Sequence, residues 1–470
     1  MMRAYRLDAA LLSQGWVRDV RVVLDEHGRI RKIGPAAGDP QADDEPLQAP
    51  PERIKGLVVP GMSNAHSHAF QRGMAGEAEY RLSARDSFWT WRRAMYALAN
   101  RMTPEGLEVL ATRLFVEMLK SGYTAVAEFH YIHRRPDGES YPGANPLWEA
   151  VMAAARDAGI ALTFLPTLYQ ASDFGGAPLR EEQSRFFLET ERFLHAIETL
   201  RREEAADATG LRRTGAAFHS LRAVPLETLS AAARELRRMD PGMPLHIHVA
   251  EQVKEVESCL AHTGRRPVEL LLETGLLDRL WCLVHATHST AKELEGIAAS
   301  GASVCVSITT EANLGDGFFD AARFLAMGGR VAIGSDSQSS VCPAEELRWM
   351  EYQARLRKRR RAVLADATEP HVGTRLWRHG ARAGAQAIGQ PSGEIAVGAR
   401  ADWVVLDRDH ASLAGAADEA ALDHLLFAGA SAAIRHVMVA GRWVVRDGRH
   451  ALEESSCAAF RELMREHRAP

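Results

Sequence analysis

Short apolar runs rich in β-branched residues alternate with amphipathic helical patterns through the middle of the chain. Helical periodicity is clear, for example, over Thr103–Lys120 and Leu226–Arg238. The runs number eight: Leu57–Val59 leading to Asn64–His66, Thr124–His130, Ala161–Leu168, Thr214–His219, Leu245–Val249, Trp281–Ala286, Ala302–Ser307 and Arg330–Gly334. Eight such repeats predict a (β/α)8 barrel of the TIM type. A doubly wound open sheet is the alternative, but no glycine-rich phosphate loop follows the first run.

Both ends of the chain have the alternating pattern of short exposed strands instead. Strands are predicted over Trp16–Val23 and Ile30–Ile33, and again within residues 401–407 and 434–449, where Ala440-Gly441 forms a hairpin turn. A helix is predicted over Glu453–His467. Packing the two sets of strands together buries both. We therefore predict a small β-sandwich domain with a C-terminal helix from residues 1–58 plus 388–470, and the barrel from residues 59–387.

Composition and charge describe an ordinary globular protein. The chain has 46% hydrophobic and 25% charged residues and a formal net charge of −4, which favours neither nucleic acid nor a membrane surface as partner. The five cysteines are scattered, and no apolar run has the length of a signal peptide or a membrane span, so we expect a cytoplasmic protein. The basic run Arg355–Arg361 is interpreted as the solvent-exposed face of a helix.

Polar residues suited to metal binding or proton transfer stand where the apolar runs end. In order along the chain these are His66 and His68, Tyr131 and His133, His219, His248 and Glu251, His285, and Asp336. The carboxyl ends of all strands of a parallel barrel lie on one face, where active sites are built. Residues far apart in sequence are therefore expected to converge on one site.

A metal centre is the chemistry that these residue types favour. His66 and His68 are two residues apart on a strand, so their imidazoles point to the same side, about 6.5 to 7 Å apart. His246 and His248 share a face too; we choose His248 because it is nearer the strand's end and Glu251 follows it. With Asp336, three histidines leave a coordination position open for water, as in catalytic zinc sites. Iron and manganese suit the same ligands.

Longer motifs resemble the deaminase branch of the amidohydrolase superfamily. VVPGMSNAHSHAFQR, HIHVAE, LVHATH and IGSDS carry that resemblance, and HSHAFQRGMAG, DSFWTWR, AEFHYIH, FHSLRAV, TTEANLGDG and EELRWMEYQ narrow it to the formimidoylglutamate deiminases. The resemblance implies that one zinc ion per chain is held by His66, His68, His248 and Asp336. It implies that Glu251 and His285, assisted by Asp336, handle protons. It also implies that the substrate is bound by Gln71, Arg92, Tyr131, His219 and Arg222.

The activity that this resemblance implies is the hydrolysis of N-formimino-L-glutamate to N-formyl-L-glutamate and ammonia, a step of histidine degradation. Arg92 and Arg222 suit a small anionic substrate because guanidinium groups grip carboxylates. The chain has no lysine between Lys120 and Lys254, so the carboxylated lysine that bridges two metals in related barrels is missing. The sequence departs from the family at Arg134-Arg135 and at Gln338, and it leaves a homodimer open.

Two other functions compete with this one. The chain could be another deaminase of the same branch, acting on an aminopurine, an adenosine derivative or a triazine, which would have no need of two guanidinium groups. It could also be a barrel that binds a ligand without catalysis, although such proteins typically lose ligand positions, and every position is filled here.

Overall fold

A computed structural model of the chain describes residues 2–36, 47, 49–77, 79, 87–429 and 431–468. Its strands are β1 Arg3–Leu12, β2 Gly15–Leu24, β3 Ile30–Pro35, β4 Glu52–Pro60, β5 Met62–Ser67, β6 Tyr123–His130, β7 Ala161–Leu168, β8 Arg212–Thr214, β9 Ala216–Ser220, β10 Leu245–Val249, β11 Trp281–His285, β12 Ser303–Val306, β13 Arg330–Ile333, β14 Trp403–Leu406, β15 Ile434–Val439, β16 Arg442–Arg446 and β17 Arg449–His450.

The helices of the described residues lie mostly between these strands. They are α1 Phe88–Arg101, α2 Pro104–Ser121, α3 Pro146–Ala158, α4 Thr190–Ala205, α5 Leu226–Met239, α6 Val253–Thr263, α7 Pro267–Glu273, α8 Ala291–Ser300, α9 Ile308–Leu314, α10 Ala321–Ala326, α11 Pro343–Lys358, α12 Val372–Ala387, α13 Ala421–Phe427 and α14 Glu453–Arg468. Short 3-10 segments cover Ala69–Met74, Glu181–Phe186, Asp418–Ala420 and Ser431–Ala433. No helix in these ranges is both long enough and apolar enough to cross a bilayer.

The predicted barrel is confirmed. Parallel strands pair in the order β5-β6-β7-β9-β10-β11-β12-β13, with β8 beside β7, and a parallel bridge between Ser67 and Asp336 brings the last strand's end to the first. β8 and β9 are one barrel position interrupted at Gly215, where a Cβ atom would lie 2.5 Å from Leu165 Cδ2. This closure brings the carboxyl ends of eight strands to one rim.

The barrel prediction is wrong for the first apolar run, which belongs to the other sheet. Leu57–Val59 lies in β4, which pairs with β1 and β14, and the first barrel strand begins only at Met62. The chain passes between the sheets at Gly61, where a Cβ atom would lie 2.3 Å from the side chain of Thr124. β4 thus runs two residues beyond the predicted division at residue 58, and the domain boundaries themselves stay a prediction.

The chain ends form the second sheet, as expected. Its order is β17-β16-β15-β14-β4-β1-β2-β3, antiparallel except between β1 and β4. One face buries a core of its own, in which Tyr5 meets Trp403 edge-on at 5.6 Å between ring centroids. Ala440 and Gly441, both with positive φ, turn β15 into β16. The predicted C-terminal helix is α14. Residues 356–361 of the basic run are exposed, as predicted, but α11 ends at Lys358, so that the last three lie beyond the helix.

Candidate metal centre and active site

Four side chains predicted as metal ligands converge at the barrel rim. His66 and His68 come from the end of β5, His248 from β10, and Asp336 from the loop after β13. The Nε2 atoms of His66 and His248 are 3.0 Å apart, and Asp336 Oδ1 lies 3.3 Å from His66 Nε2 and 3.4 Å from His68 Nε2. One ligand atom from each residue lies within 4.8 Å of all the others. Within the described ranges, no other group of three or more such residues is this close.

The hydrogen bonds of the imidazoles leave their inner nitrogens without hydrogens. His68 Nδ1 is 2.7 Å from the carbonyl oxygen of Phe129, and His248 Nδ1 is 2.9 Å from that of His219. A carbonyl only accepts, so both Nδ1 atoms carry the hydrogen and both Nε2 atoms present lone pairs. Two unprotonated nitrogens and a carboxylate oxygen thus converge, and no hydrogen bond can join His68 Nε2 to Asp336 Oδ1, because both atoms only accept. This donor set fits a divalent metal ion.

Burial keeps the same imidazoles neutral, which is the form that binds metal. Desolvation lowers the pKa of His68 to about 4 and lowers the pKa values of His66 and His248 well below the usual 6.5. Neighbouring imidazoles reinforce the effect for His66 and His248, because a second positive charge would repel the first. The site is therefore ready to bind a cation at neutral pH without first releasing protons.

Two buried polar side chains hold the ligand segments in place. Glu128 of β6 accepts hydrogen bonds from Ser67 Oγ at 2.8 Å and from the amide of Ala69 at 2.6 Å, on either side of His68. Gln338 donates through Nε2 to Ser67 Oγ at 3.0 Å and to the carbonyl of Asp336 at 2.7 Å. Gln338 is one of the departures from the family pattern, and here it fastens the Asp336 loop to β5.

Glu251 and His285 face the four predicted ligand side chains from the ends of neighbouring strands. His285 Nε2 lies 3.9 Å from Glu251 Oε1 and 3.8 Å from Asp336 Oδ2, while its Nδ1 lies 3.2 Å from Glu311 Oε1. Burial raises the pKa of Glu251 to about 7. For His285, burial lowers the pKa, but the three surrounding carboxylates outweigh it and raise that pKa to about 10. Near neutral pH His285 is therefore protonated, while Glu251 can both accept and release a proton.

The backbone is strained where these residues stand. Ala250, His285, Asp336 and Gln338 are all non-glycine residues with positive φ, between 46° and 69°. Such conformations cost of the order of 1 kcal/mol or more each and persist at functional sites when the surroundings impose them. Glu255 imposes one of them, since its carboxylate accepts the amides of Ala250 and Glu251, each at 3.0 Å.

The residues predicted to bind substrate line the same cavity as Glu251, His285 and Asp336. They are Gln71, Arg92, Tyr131, His219 and Arg222. Gln71 donates to the Tyr131 hydroxyl at 3.0 Å, and its own Oε1 is buried without a hydrogen-bond partner. Arg222 donates to the carbonyl of Ser172 at 3.3 Å. The structure thus brings every predicted site residue together, while their roles in binding and catalysis stay predictions.

Among these residues, Arg92 has the most unusual surroundings for a charged side chain. It is 6% exposed, its guanidinium carbon lies 5.0 Å from the ring centroids of both Trp89 and Tyr96, and no carboxylate of the described residues pairs with it. Its Nη1 has no hydrogen-bond partner. Burial and the nearby charge of Arg222 lower the pKa of Arg92. A buried cation so placed is suited to pair with the carboxylate of a bound ligand.

Other candidate residues are engaged elsewhere. His246 is tied through Nε2 to the carbonyl of Ala387 at 2.8 Å, which agrees with the choice of His248 as ligand. His133 bonds the Thr167 carbonyl through Nε2 and receives the Trp148 indole at Nδ1, so it is a packed residue. Arg134 pairs with Glu189 at 2.7 Å. Sequence reasoning missed Glu128 and Glu311. The available signal was an acidic residue inside the apolar run Thr124–His130 and another just after the run Ala302–Ser307.

Comparison with known proteins agrees with this geometry. The amidohydrolase family model matches residues 57–444. The chain is 49% identical to formimidoylglutamate deiminase of Pseudomonas aeruginosa over 99% of both chains, and 27% identical to 8-oxoguanine deaminase of the same organism over 97% of this chain and 98% of the other. The crystal structure of an amidohydrolase from Brucella melitensis superposes with a TM-score of 0.90 at 42% identity, covering 99% of this chain and 100% of the other. The chain belongs to the amidohydrolase family.

Proposed function

We propose that the protein hydrolyses N-formimino-L-glutamate to N-formyl-L-glutamate and ammonia, a step in histidine degradation. The observation that carries the proposal is the cavity that joins the His-His-His-Asp cluster to two guanidinium groups lacking carboxylate partners among the described residues. A substrate with an amidine at one end and carboxylates at the other matches both parts. The sequence identity of 49% to a formimidoylglutamate deiminase, over 99% of this chain, supports the same activity.

We propose one zinc ion per chain for the cluster. The ligand set of three imidazoles and one carboxylate suits zinc, and iron and manganese are the alternatives that metal analysis distinguishes. A divalent metal ion held there supplies Lewis acidity, which lowers the pKa of a coordinated water toward neutrality.

The chain's own residues would move the protons. Glu251, whose pKa is raised to about 7, can accept a proton from the attacking water and release it to the departing nitrogen. Water adds its oxygen to the formimino carbon, the bond from that carbon to the terminal nitrogen breaks, and ammonia leaves. Asp336 can assist the deprotonation. His285, held in the charged form by its carboxylate neighbours, can donate through Nε2 to the oxygen that develops negative charge.

The carboxylate end of the substrate would meet Arg92 and Arg222, with Gln71, Tyr131 and His219 completing the wall. Desolvation lowers the pKa of His219 well below its usual value, so that its ring stays neutral and serves as a hydrogen-bonding group. A pocket with one buried and one half-buried guanidinium group discriminates against neutral heterocycles, because such ligands leave both charges unpaired.

The test is the release of ammonia and of N-formyl-L-glutamate from N-formimino-L-glutamate by the purified protein, with aminopurines and an N-alkylformamidine that lacks carboxylates as matched alternatives. Turnover confined to the dicarboxylate is expected. Arg222→Met should raise KM for the dicarboxylate by about tenfold or more, the usual loss for one charged contact, and leave KM for the carboxylate-free amidine unchanged. Preferential turnover of an aminopurine would contradict the proposal.

A further inference from the structure

A second cavity lies directly outside the catalytic pocket. The two cavities share Arg92, Tyr96 and Arg222, which therefore form the wall between them. The outer cavity is completed by residues from α1, from the loop after β7 and from the start of α6, among them Trp89, Arg93, Asp173, Arg180, Lys254 and Glu255. A ligand that reaches the pocket from this side meets these residues first.

The outer cavity has an excess of positive charge. Five cations line it, against the three carboxylates of Asp173, Glu182 and Glu255. The carboxylate of Glu255 is already engaged by two backbone amides, and Glu182 lies 4.0 Å from Arg180. Within the described ranges, no carboxylate lies within ion-pair distance of the other four cations, which are Arg92, Arg93, Arg222 and Lys254. Like charges gathered without counter-charges favour an anionic occupant.

Trp89 holds two of these cations beside each other. Its indole ring lies 5.0 Å from the guanidinium carbon of Arg92 and 4.8 Å from Lys254 Nζ. Arg92 is buried, whereas Lys254 is exposed. The two charges therefore stand at successive depths, and the positive potential extends from solvent to the catalytic pocket.

We propose that the outer cavity is a capture site for small dicarboxylates, in which Lys254 receives a carboxylate before Arg92 and Arg222 take it into the pocket. The proposal rests on the proposed function for the identity of the substrate, but the binding of a dicarboxylate requires only the charges described here. Lys254 acts on entry and affinity, because it lines the outer cavity and not the pocket that contains Glu251 and His285.

The experiment compares Lys254→Met with the wild-type protein, and with Lys292→Met, which removes an exposed lysine from α8, as matched control. At low ionic strength Lys254→Met should lower kcat/KM for N-formimino-L-glutamate by about three- to tenfold, with the loss in KM and not in kcat. The difference should shrink at about 0.5 M salt, where the Debye length is only a few ångströms. Lys292→Met should match the wild type.

Glutarate, an inert dicarboxylate, separates this proposal from the proposed function. Titration calorimetry at low ionic strength should show weaker binding to Lys254→Met than to the wild type and to Lys292→Met, whether or not the formimino substrate is turned over. Absence of turnover by the wild type would remove the proposed function alone. Equal glutarate affinity in the three proteins, or equal kcat/KM and salt dependence, would overturn the capture site.

Discussion

Two buried arginines, one beside the small sheet and one at the barrel rim, differ in whether a carboxylate of the described residues balances their charge. Arg400, 3% exposed beside the small sheet, bonds the Asp402 carboxylate through Nε at 3.0 Å and Nη2 at 2.7 Å, and Gln390 Oε1 through Nη1 at 2.7 Å. Asp402 also accepts the amide of Ala440 at 2.8 Å. Arg92, almost as deeply buried at the barrel rim, has no carboxylate among the described residues and one nitrogen without a partner.

The difference teaches that the two buried charges are balanced in different ways, Arg400 by a carboxylate of the chain and Arg92 by the faces of two aromatic rings. A buried charge without a counter-charge is costly, and a carboxylate of a bound ligand would offset that cost at Arg92. The imidazoles differ in which nitrogen meets a backbone carbonyl. His246 bonds one through Nε2, whereas His68 and His248 bond theirs through Nδ1, so that their Nε2 atoms face other predicted ligand atoms. Removal of Arg92 or of a predicted metal ligand should therefore impair function, whereas removal of Arg400 should impair stability.

The largest effect is expected for the metal ligands. His68→Ala removes one of the two lone pairs fixed by a backbone carbonyl, so the metal content should fall from about one ion per chain to well below half. Turnover should fall by about a thousandfold or more, because Lewis acidity is lost with the ion. Metal analysis and ammonia release on the same preparations measure both.

His246→Ala is the matched control for that variant, since it removes a buried imidazole from the strand that also carries His248. It should keep its metal, because His246 bonds Ala387 and not the cluster. Loss of metal from His246→Ala to the same degree as from His68→Ala would show that the two classes of imidazole are not distinct.

His285→Ala should separate proton transfer from metal binding. The ring touches Glu251, Asp336 and Glu311 but does not belong to the four-ligand group, so the metal should stay and kcat should fall by about 10²- to 10⁴-fold. Metal content and kcat are measured on one preparation. A metal content that collapsed with kcat would make His285 a ligand and undo this division of labour.

Substitution of Arg400 and of Arg92 should have different effects on the free energy of unfolding. Arg400→Met leaves Asp402 buried without its cation, and the free energy of unfolding should fall by about 3–5 kcal/mol. Arg92→Met removes a charge that has no counter-charge among the described residues, so stability should hold or rise while turnover of the dicarboxylate drops. Denaturant unfolding of both variants gives the comparison directly, and equal losses of stability would contradict it.

Local pattern predicted the strands and the ligand residues, since each needs only its own segment to be recognised. The spacing of His66 and His68 and the position of Asp336 after an apolar run indicated these residues, and the resemblance to a known family supported the choice. The assignment of Leu57–Val59 failed because two sheets share one continuous apolar stretch, and only pairing with β1 and β14 decides where it belongs. The anchoring of Ser67 by Glu128 and Gln338 joins residues 61 and 271 positions apart, so no local pattern reveals it.

The smallest effect is expected at Glu311, the carboxylate behind His285. One oxygen, Oε1, meets both His285 Nδ1 at 3.2 Å and the amide of Ser307 at 3.1 Å, so the carbonyl oxygen of a glutamine can make both contacts without the charge. Glu311→Gln should therefore keep kcat within about tenfold of the wild type, whereas Glu311→Leu should lose up to about a hundredfold, the usual range for a supporting partner of a site imidazole. Both variants should keep their metal. Because the hydrogen bonds survive in the glutamine variant and the charge does not, a Glu311→Gln protein as slow as Glu311→Leu would mean that Glu311 supports His285 by its charge, and not by holding the ring.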